Sequence, residues 1–343
     1  MAIIDKPSDY FDINLRSGTG SEQTVTGMDF QPDWIWSKLR SGGTGYHHAL
    51  VDSLRGGTKK LFTSATNAES TDTNAVTSFN SDGYTYGSSG SFNLNGGTYV
   101  HWCWKAGGTA SSNTDGSITS SVSANQEAGF SIVSWTGTGA NATIGHGLGA
   151  EPKMIFLKIR TGTNNWQVYN KSIGSGNALF LNTTDASSSN TGWQSTDATS
   201  SVFYVSGGGA VNGSGASLIA YCFAEKQGYS KFGKYTSINS HDSTFVYLGF
   251  KPSMIIFKNT SYSSDWHILD RTRYTFNGSS EAVLEPNTSD AENYSAFGEV
   301  DFLSNGFKIR NNNGVSSGGY DHIYMAFAEN PFVTSTGVPA TAR

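Results

Sequence analysis

The chain repeats itself three times. Phe30-Gln31-Pro32-Asp33-Trp34-Ile35-Trp36-Ser37-Lys38 returns as Ala150-Glu151-Pro152-Lys153-Met154-Ile155-Phe156-Leu157-Lys158, and again as Phe250-Lys251-Pro252-Ser253-Met254-Ile255-Ile256-Phe257-Lys258. Each copy reads proline, one polar residue, three large apolar residues, one further residue, then lysine. A period of roughly 100 residues is a whole domain, because solenoid units repeat every 20–50 residues or so.

The match runs on past the lysine. An apolar stretch ends in Asp52, Asn170 and Asp270, and small polar turns surround Ala68, Ala186 and Ala291. Asp82-Gly83 and Asn305-Gly306 follow an aromatic residue and read as tight hairpin turns, whose positive φ glycine tolerates. The middle copy has Ser201-Val202-Phe203 there, so its turn should differ. Each copy closes on an aromatic strand: Tyr99–Trp104, Leu218–Phe223 and His322–Phe327. The division that follows is an arm at 1–10, modules at 11–106, 117–226 and 227–333, a linker at 107–116, and a tail at 334–343.

Short Thr, Ser, Val, Tyr and Phe runs alternate with Gly, Asn, Ser and Asp clusters, and no long stretch keeps a helical period. That pattern predicts an all-β chain. A module of about 100 residues can bury a core of its own. The expected architecture is three tandem related β-sandwich modules, jelly-roll or concanavalin-like. The strand Met154–Ile159 is apolar on both alternating faces, so something must cover both sides: a third layer, another module or another subunit. That predicts a homo-oligomer as one solution.

Charged residues make up 14% of the chain and the formal net charge is −5, leaving no basic stripe to neutralise phosphates. Nucleic acid is therefore not an expected partner. No apolar segment is long enough to span a bilayer as a helix, and the N-terminus shows no charged leader with an apolar core. Cys103 and Cys222 fall at equivalent positions of two modules, with Ala326 in the third, which predicts two buried free thiols rather than a disulfide. A β-rich, weakly charged chain made without an export signal or disulfides fits a virus particle assembled in the host cytoplasm.

The opening Asp5-Lys6-Pro7-Ser8-Asp9-Tyr10-Phe11 followed by Gly18-Thr19-Gly20 resembles structural proteins of tailed bacteriophages, marine ones in particular. So do Phe79-Asn80-Ser81-Asp82-Gly83, Ala220-Tyr221-Cys222-Phe223-Ala224-Glu225 and the ending Phe332 to Arg343. The resemblance covers nearly the whole chain. It implies a tail-fibre-like or other virion structural protein with lectin-like modules, whose partners are other virion proteins and a host surface polysaccharide. It implies no catalytic residue.

Candidate chemistry is sparse. No Glu-x-Asp-x-x-Glu string supplies the two carboxylates that glycoside hydrolysis needs. His47-His48 lacks further ligands at metal spacing, and the glycine runs lack the lysine and helix of a phosphate loop. These readings point to binding rather than catalysis, with no cofactor and no metal. Trp166 and Trp266 share a strand face with apolar residues and read as core. Trp193 lies in a Ser/Thr-rich stretch that looks exposed, so Trp193, Asn190 and His47 form the candidate ligand-binding set. Phe297 near the same offset in the third copy offers the alternative that Trp193 is a plug. Two functions follow: a receptor-binding or tail-fibre adhesin facing a host glycan, or a decoration or connector protein that stabilises the particle.

Overall fold

The computed structural model describes residues 3–273, 277, 281–295, 299–310 and 318–339. The described residues are all-β, built from antiparallel sheets with only short helical turns among them, such as Gly90–Asn93 and Gly209–Asn212.

One strand order recurs three times. The first sheet runs Phe11–Ser17, Thr98–Trp104, Trp34–Ser41, Ala49–Asp52, Lys59–Phe62. The second runs Phe130–Thr136, Ser217–Ala224, Pro152–Ile159, Gln167–Asn170, Asn177–Phe180. The third runs Ser230–Thr236, Asp321–Pro331, Phe250–Asn259, Trp266–Asp270, with Leu284 bridging to Ile268 beyond it. Register recurs too: Ile35 faces Cys103, Ile155 faces Cys222, and Ile255 faces Ala326.

Each large sheet is covered on both faces. Ile35, Ile155 and Ile255 point into separate cores, where smaller sheets close each sandwich. Those sheets are Gln23–Val25 with Gly83–Tyr86 and Val76–Asn80, Ala142–Gly145 with Val202–Val205, and Phe245–Tyr247 with Gly306–Ile309 and Val300–Leu303. The alternate residues, Trp34, Trp36, Met154, Phe156, Met254 and Ile256, enter one shared core with Trp104, Phe223 and Phe327. There Trp34 stacks on Tyr221 at 4.7 Å, and Phe327 meets Trp104 at 5.5 Å and Phe223 at 6.1 Å. So the cover for the doubly apolar strand at Met154–Ile159 is the rest of the same chain. The same alternation turns Cys103 and Cys222 away from the shared core into separate sandwiches, where both are free and buried.

The three units close into a ring. Lys158 Nζ donates to Thr66 O at 2.8 Å, Lys258 Nζ to Thr184 O at 3.2 Å, and Lys38 Nζ to Ser289 O at 2.9 Å. Those carbonyls occupy one repeat position, so unit two leans on one, three on two, and one on three. Trp166 and Trp266 are core, as expected, and also stitch joints: their Nε1 atoms donate to Phe62 O at 2.8 Å and Phe180 O at 2.9 Å.

Two joints bury charge. Arg55 Nε lies 2.6 Å from Asp52 and its Nη1 2.9 Å from Glu69, which Arg160 of unit two meets at 2.8 Å; Tyr221 OH donates to Asp52 at 2.7 Å. Between units three and one, Arg273 holds Asp270 at 2.6 Å and Glu292 at 3.0 Å. Arg40 reaches Glu292 at 2.7 Å, and Trp102 Nε1 donates to Asp270 at 3.0 Å. At the joint of two with three, the equivalent positions hold Asn170, Ile173, Ser187, Thr260 and Met325. Those five positions carry no charge, and the Lys258 ammonium reaches Thr184 O beside them.

The linker at 107–116 is laid over unit two: Ser111–Asn113 adds an edge strand to Ser120–Asn125, and Gly107 N–H donates to Ser123 Oγ at 3.0 Å. One expectation needs correction. The hairpin turns lie one residue earlier than Asp82-Gly83 and Asn305-Gly306 suggest, because Asn80 pairs with Gly83 and Leu303 with Gly306. The glycines serve a close approach instead. A Cβ on Gly83 would stand 2.0 Å from Val25 O, and one on Gly306 2.0 Å from Val246 O.

Candidate functional site

The middle unit differs where its sequence does. It has no counterpart to Val76–Asn80, and the segment 191–201 fills that side. Trp193 packs edge-on against Tyr169 at 5.6 Å and is 1% exposed. Gln194 Nε2 donates to Ala142 O at 3.0 Å and Val205 O at 2.7 Å, satisfying the carbonyls of the two-stranded sheet. Trp193 therefore cannot offer a ring face to a ligand; it is the plug. Phe297, its suggested counterpart, lies outside the described residues.

The other two candidates are not beside it. Asn190 is half-buried and its Oδ1 accepts the Gly192 N–H at 2.6 Å, an Asx turn. His47 belongs to unit one; its Nδ1 is 2.8 Å from Ser64 Oγ, and burial, then the charge of Lys38, holds its pKa below the usual histidine value. The set Trp193, Asn190 and His47 thus forms no common site. Among the described residues no three His, Cys, Asp or Glu side chains converge as a metal centre would need.

The strongest surface candidate lies between units two and three. A cleft of about 740 Å³ is lined by Glu151, Lys153, Lys226, Lys231, Tyr247 and Phe332, with Ile3 of the N-terminal arm at its rim. The two ends of the chain meet nearby. Ile4 N–H donates to Gln227 O at 3.1 Å, and the Asp5 carboxylate accepts the Ser335 N–H at 2.7 Å and its hydroxyl.

Tyr247 stands on the edge strand Phe245–Tyr247 and is 53% exposed; Phe245, two residues along and on the same face, is 43% exposed. Only Val246 between them points inward. The internal repeat supplies a control. Val246 faces Phe307 as Val25 faces Tyr84 and Ile144 faces Phe203. The residues flanking Val25 are Thr24 and Thr26, and those flanking Ile144 are Thr143 and Gly145. The fold is satisfied by small residues at these positions, so packing does not call for the two aromatic rings of unit three.

Charge around the cleft is unevenly paired. Glu151 holds Lys153 and Lys171, each at 2.7 Å, and Lys171 also meets Asp197 at 2.7 Å. Lys231 instead donates to Tyr247 O at 2.9 Å and sits 5.4 Å from the centre of the Tyr247 ring, with no carboxylate in contact among the described residues. Burial lowers the Lys226 pKa, opposed by the more distant Glu127. The cleft thus joins a half-exposed aromatic face to an unpaired ammonium, an arrangement suited to binding a polar ring compound. The sequence signal that would have found it is the departure of Phe245 and Tyr247 from their own repeat.

No curated protein and no solved structure matches this chain. One family model does, over residues 6–331, and so takes in all three sandwiches together. The chain belongs to that family, DUF7483, described as a domain of unknown function.

Proposed function

We propose that the chain is a non-catalytic surface protein of a bacteriophage particle, of tail-fibre or receptor-binding type, presenting its third unit to a glycan on the host surface. The observation that carries the reading is the aromatic strip of Phe245 and Tyr247 beside the cleft, exposed where the other two units have Thr or Gly. Exposed tyrosine next to polar and charged groups is the usual means of holding a sugar ring, whose C–H face stacks on the aromatic face while its hydroxyls find hydrogen bonds. The resemblance of the sequence to phage structural proteins supports the particle as its setting. The test is binding of labelled protein to host cells and to their extracted surface polysaccharide. Binding to neither would refute the adhesin reading, and release of shortened polysaccharide by the protein alone would refute the non-catalytic one.

A second reading rests on a different observation. Lys158, Lys258 and Lys38 reach carbonyls at one repeat position in cyclic order, an arrangement that fits a decoration or connector protein seated on a threefold position of a particle. Under that reading the protein binds purified particles and ignores host cells.

A further inference from the structure

Resting on the glycan-facing reading, we infer that the cleft between units two and three takes a carboxylated saccharide, with its ring on Tyr247 and its carboxylate on Lys231. Three observations carry the choice of an acidic sugar over a neutral one. Lys231 is the cation nearest the exposed ring, and no carboxylate neutralises it, whereas Glu151 already satisfies Lys153 and Lys171. Lys231 and Tyr247 depart from the repeat together. Lys231 pairs with Ala326 as Asp12 pairs with Cys103 and Ser131 with Cys222, so unit one has an acid and unit two a hydroxyl where unit three has the ammonium. Finally, the ammonium is fixed rather than free to wander: Tyr247 O accepts from it, which places charge and ring face in one geometry. A charge held in place loses less entropy when it meets its counter-ion.

The repeat also supplies substitutions that leave the fold intact. Thr26 stands where Tyr247 does, so Tyr247→Thr keeps a residue the strand accepts. The probes are trigalacturonate and its methyl ester, titrated by calorimetry into the full chain, wild type and variants. Trigalacturonate should bind at least about fivefold more tightly than the ester, and about 0.5 M salt should remove most of that difference. Tyr247→Thr should weaken both probes by about tenfold, the scale of one lost aromatic contact. Lys231→Gln should abolish the preference for the acid while leaving ester binding in place. Unchanged urea midpoints of both variants would show that the fold is kept.

Equal affinity for acid and ester, or no binding of trigalacturonate to the wild type, would overturn the carboxylate assignment. Undiminished binding by Tyr247→Thr would overturn the site. If that variant still binds host cells as the wild type does, the site fails while the adhesin reading stands. If the wild type binds no cells or polysaccharide, the adhesin reading fails, and the trigalacturonate titration alone decides the site.

Discussion

Arg55 offers the sharpest test of how the ring is held. Its side chain and that of Asp52 are wholly buried, and the Glu69 side chain is 13% exposed. Arg55 bonds both carboxylates, the Lys59 carbonyl and the Tyr221 hydroxyl. Replacing it by Ile, the residue of unit two at that position, leaves the Asp52 and Glu69 carboxylates in the joint with only Arg160 and Tyr221 to answer them. Removing one member of a buried charged set costs about 3–5 kcal/mol, because the remaining charge stays desolvated and unpaired. Replacing the whole set by apolar or neutral groups of matching shape is often close to neutral. The neutral joint between units two and three specifies such a set: Asp52→Asn, Arg55→Ile, Glu69→Ser, Arg160→Thr and Tyr221→Met. Chemical denaturation followed by tryptophan fluorescence should therefore place Arg55→Ile about 3–5 kcal/mol below wild type. The fivefold variant should recover most of that loss, a strongly non-additive result. If the fivefold variant is less stable than the single one, or the single one costs under about 1 kcal/mol, the joint is not governed by charge compensation.

Three further outcomes are expected. His48, His101 and His146 are 0% exposed and His267 3%, and burial depresses all four pKa values, to about 3 for His101 and His267 and about 4 for His146. Each is protonated in the unfolded chain first, so stability should fall with pH from about 6.5 towards 4.5. Glu285, pushed up to about 7 by burial and then Asp265 and Asp290, acts in the opposite direction over that window. Four groups against one leave about 4 kcal/mol lost per pH unit, and urea midpoints that stay flat between pH 7 and 5 would contradict this. Gly83→Ala should cost several kcal/mol, on the order of 3, because its Cβ meets backbone rather than a yielding side chain; an unaltered melting temperature would show that the strands separate easily. Cys103 and Cys222 should react with a thiol reagent only on unfolding, since burial raises both thiol pKa values, and rapid labelling of the native protein would argue for local opening.

Much of the fold was legible because alternation and repetition are local signals. Trp34-Ile35-Trp36 and its two relatives state that both faces of a strand are covered, and the recurrence of the motif states that the covering is systematic. They do not state what covers them. Lys38, Lys158 and Lys258 recur at the end of that motif, yet their partners are carbonyls of another unit, and no pattern within one unit names a partner outside it. Asp82-Gly83 and Asn305-Gly306 read as turns because turn chemistry is the commoner reason for Asp-Gly and Asn-Gly; the approach of Val25 O and Val246 O is a tertiary fact. Trp193 looked exposed because its neighbours are Ser and Thr. Its burial follows from the strand that unit two lacks. Phe245 and Tyr247 look like any aromatic strand, and only the Thr24 and Thr26 of unit one and the Thr143 and Gly145 of unit two mark them as surplus to the fold.

Fusing three units into one chain changes what a symmetric body can do. Three separate copies of one unit would carry three identical joints and show every surface feature in triplicate. Here the joints are free to diverge, and one is neutral while two are charged. Each unit therefore has a preferred neighbour on each side: seating unit three's Glu292 against Thr260, the neutral joint's counterpart of Arg40, would remove the ion pair that crosses the joint. The surfaces are free to diverge as well, and the aromatic strip appears once per ring. The chain is thus univalent at that strip. Binding through it gains nothing from the rest of the ring, and any avidity has to come from the number of whole chains arrayed together and the spacing between them.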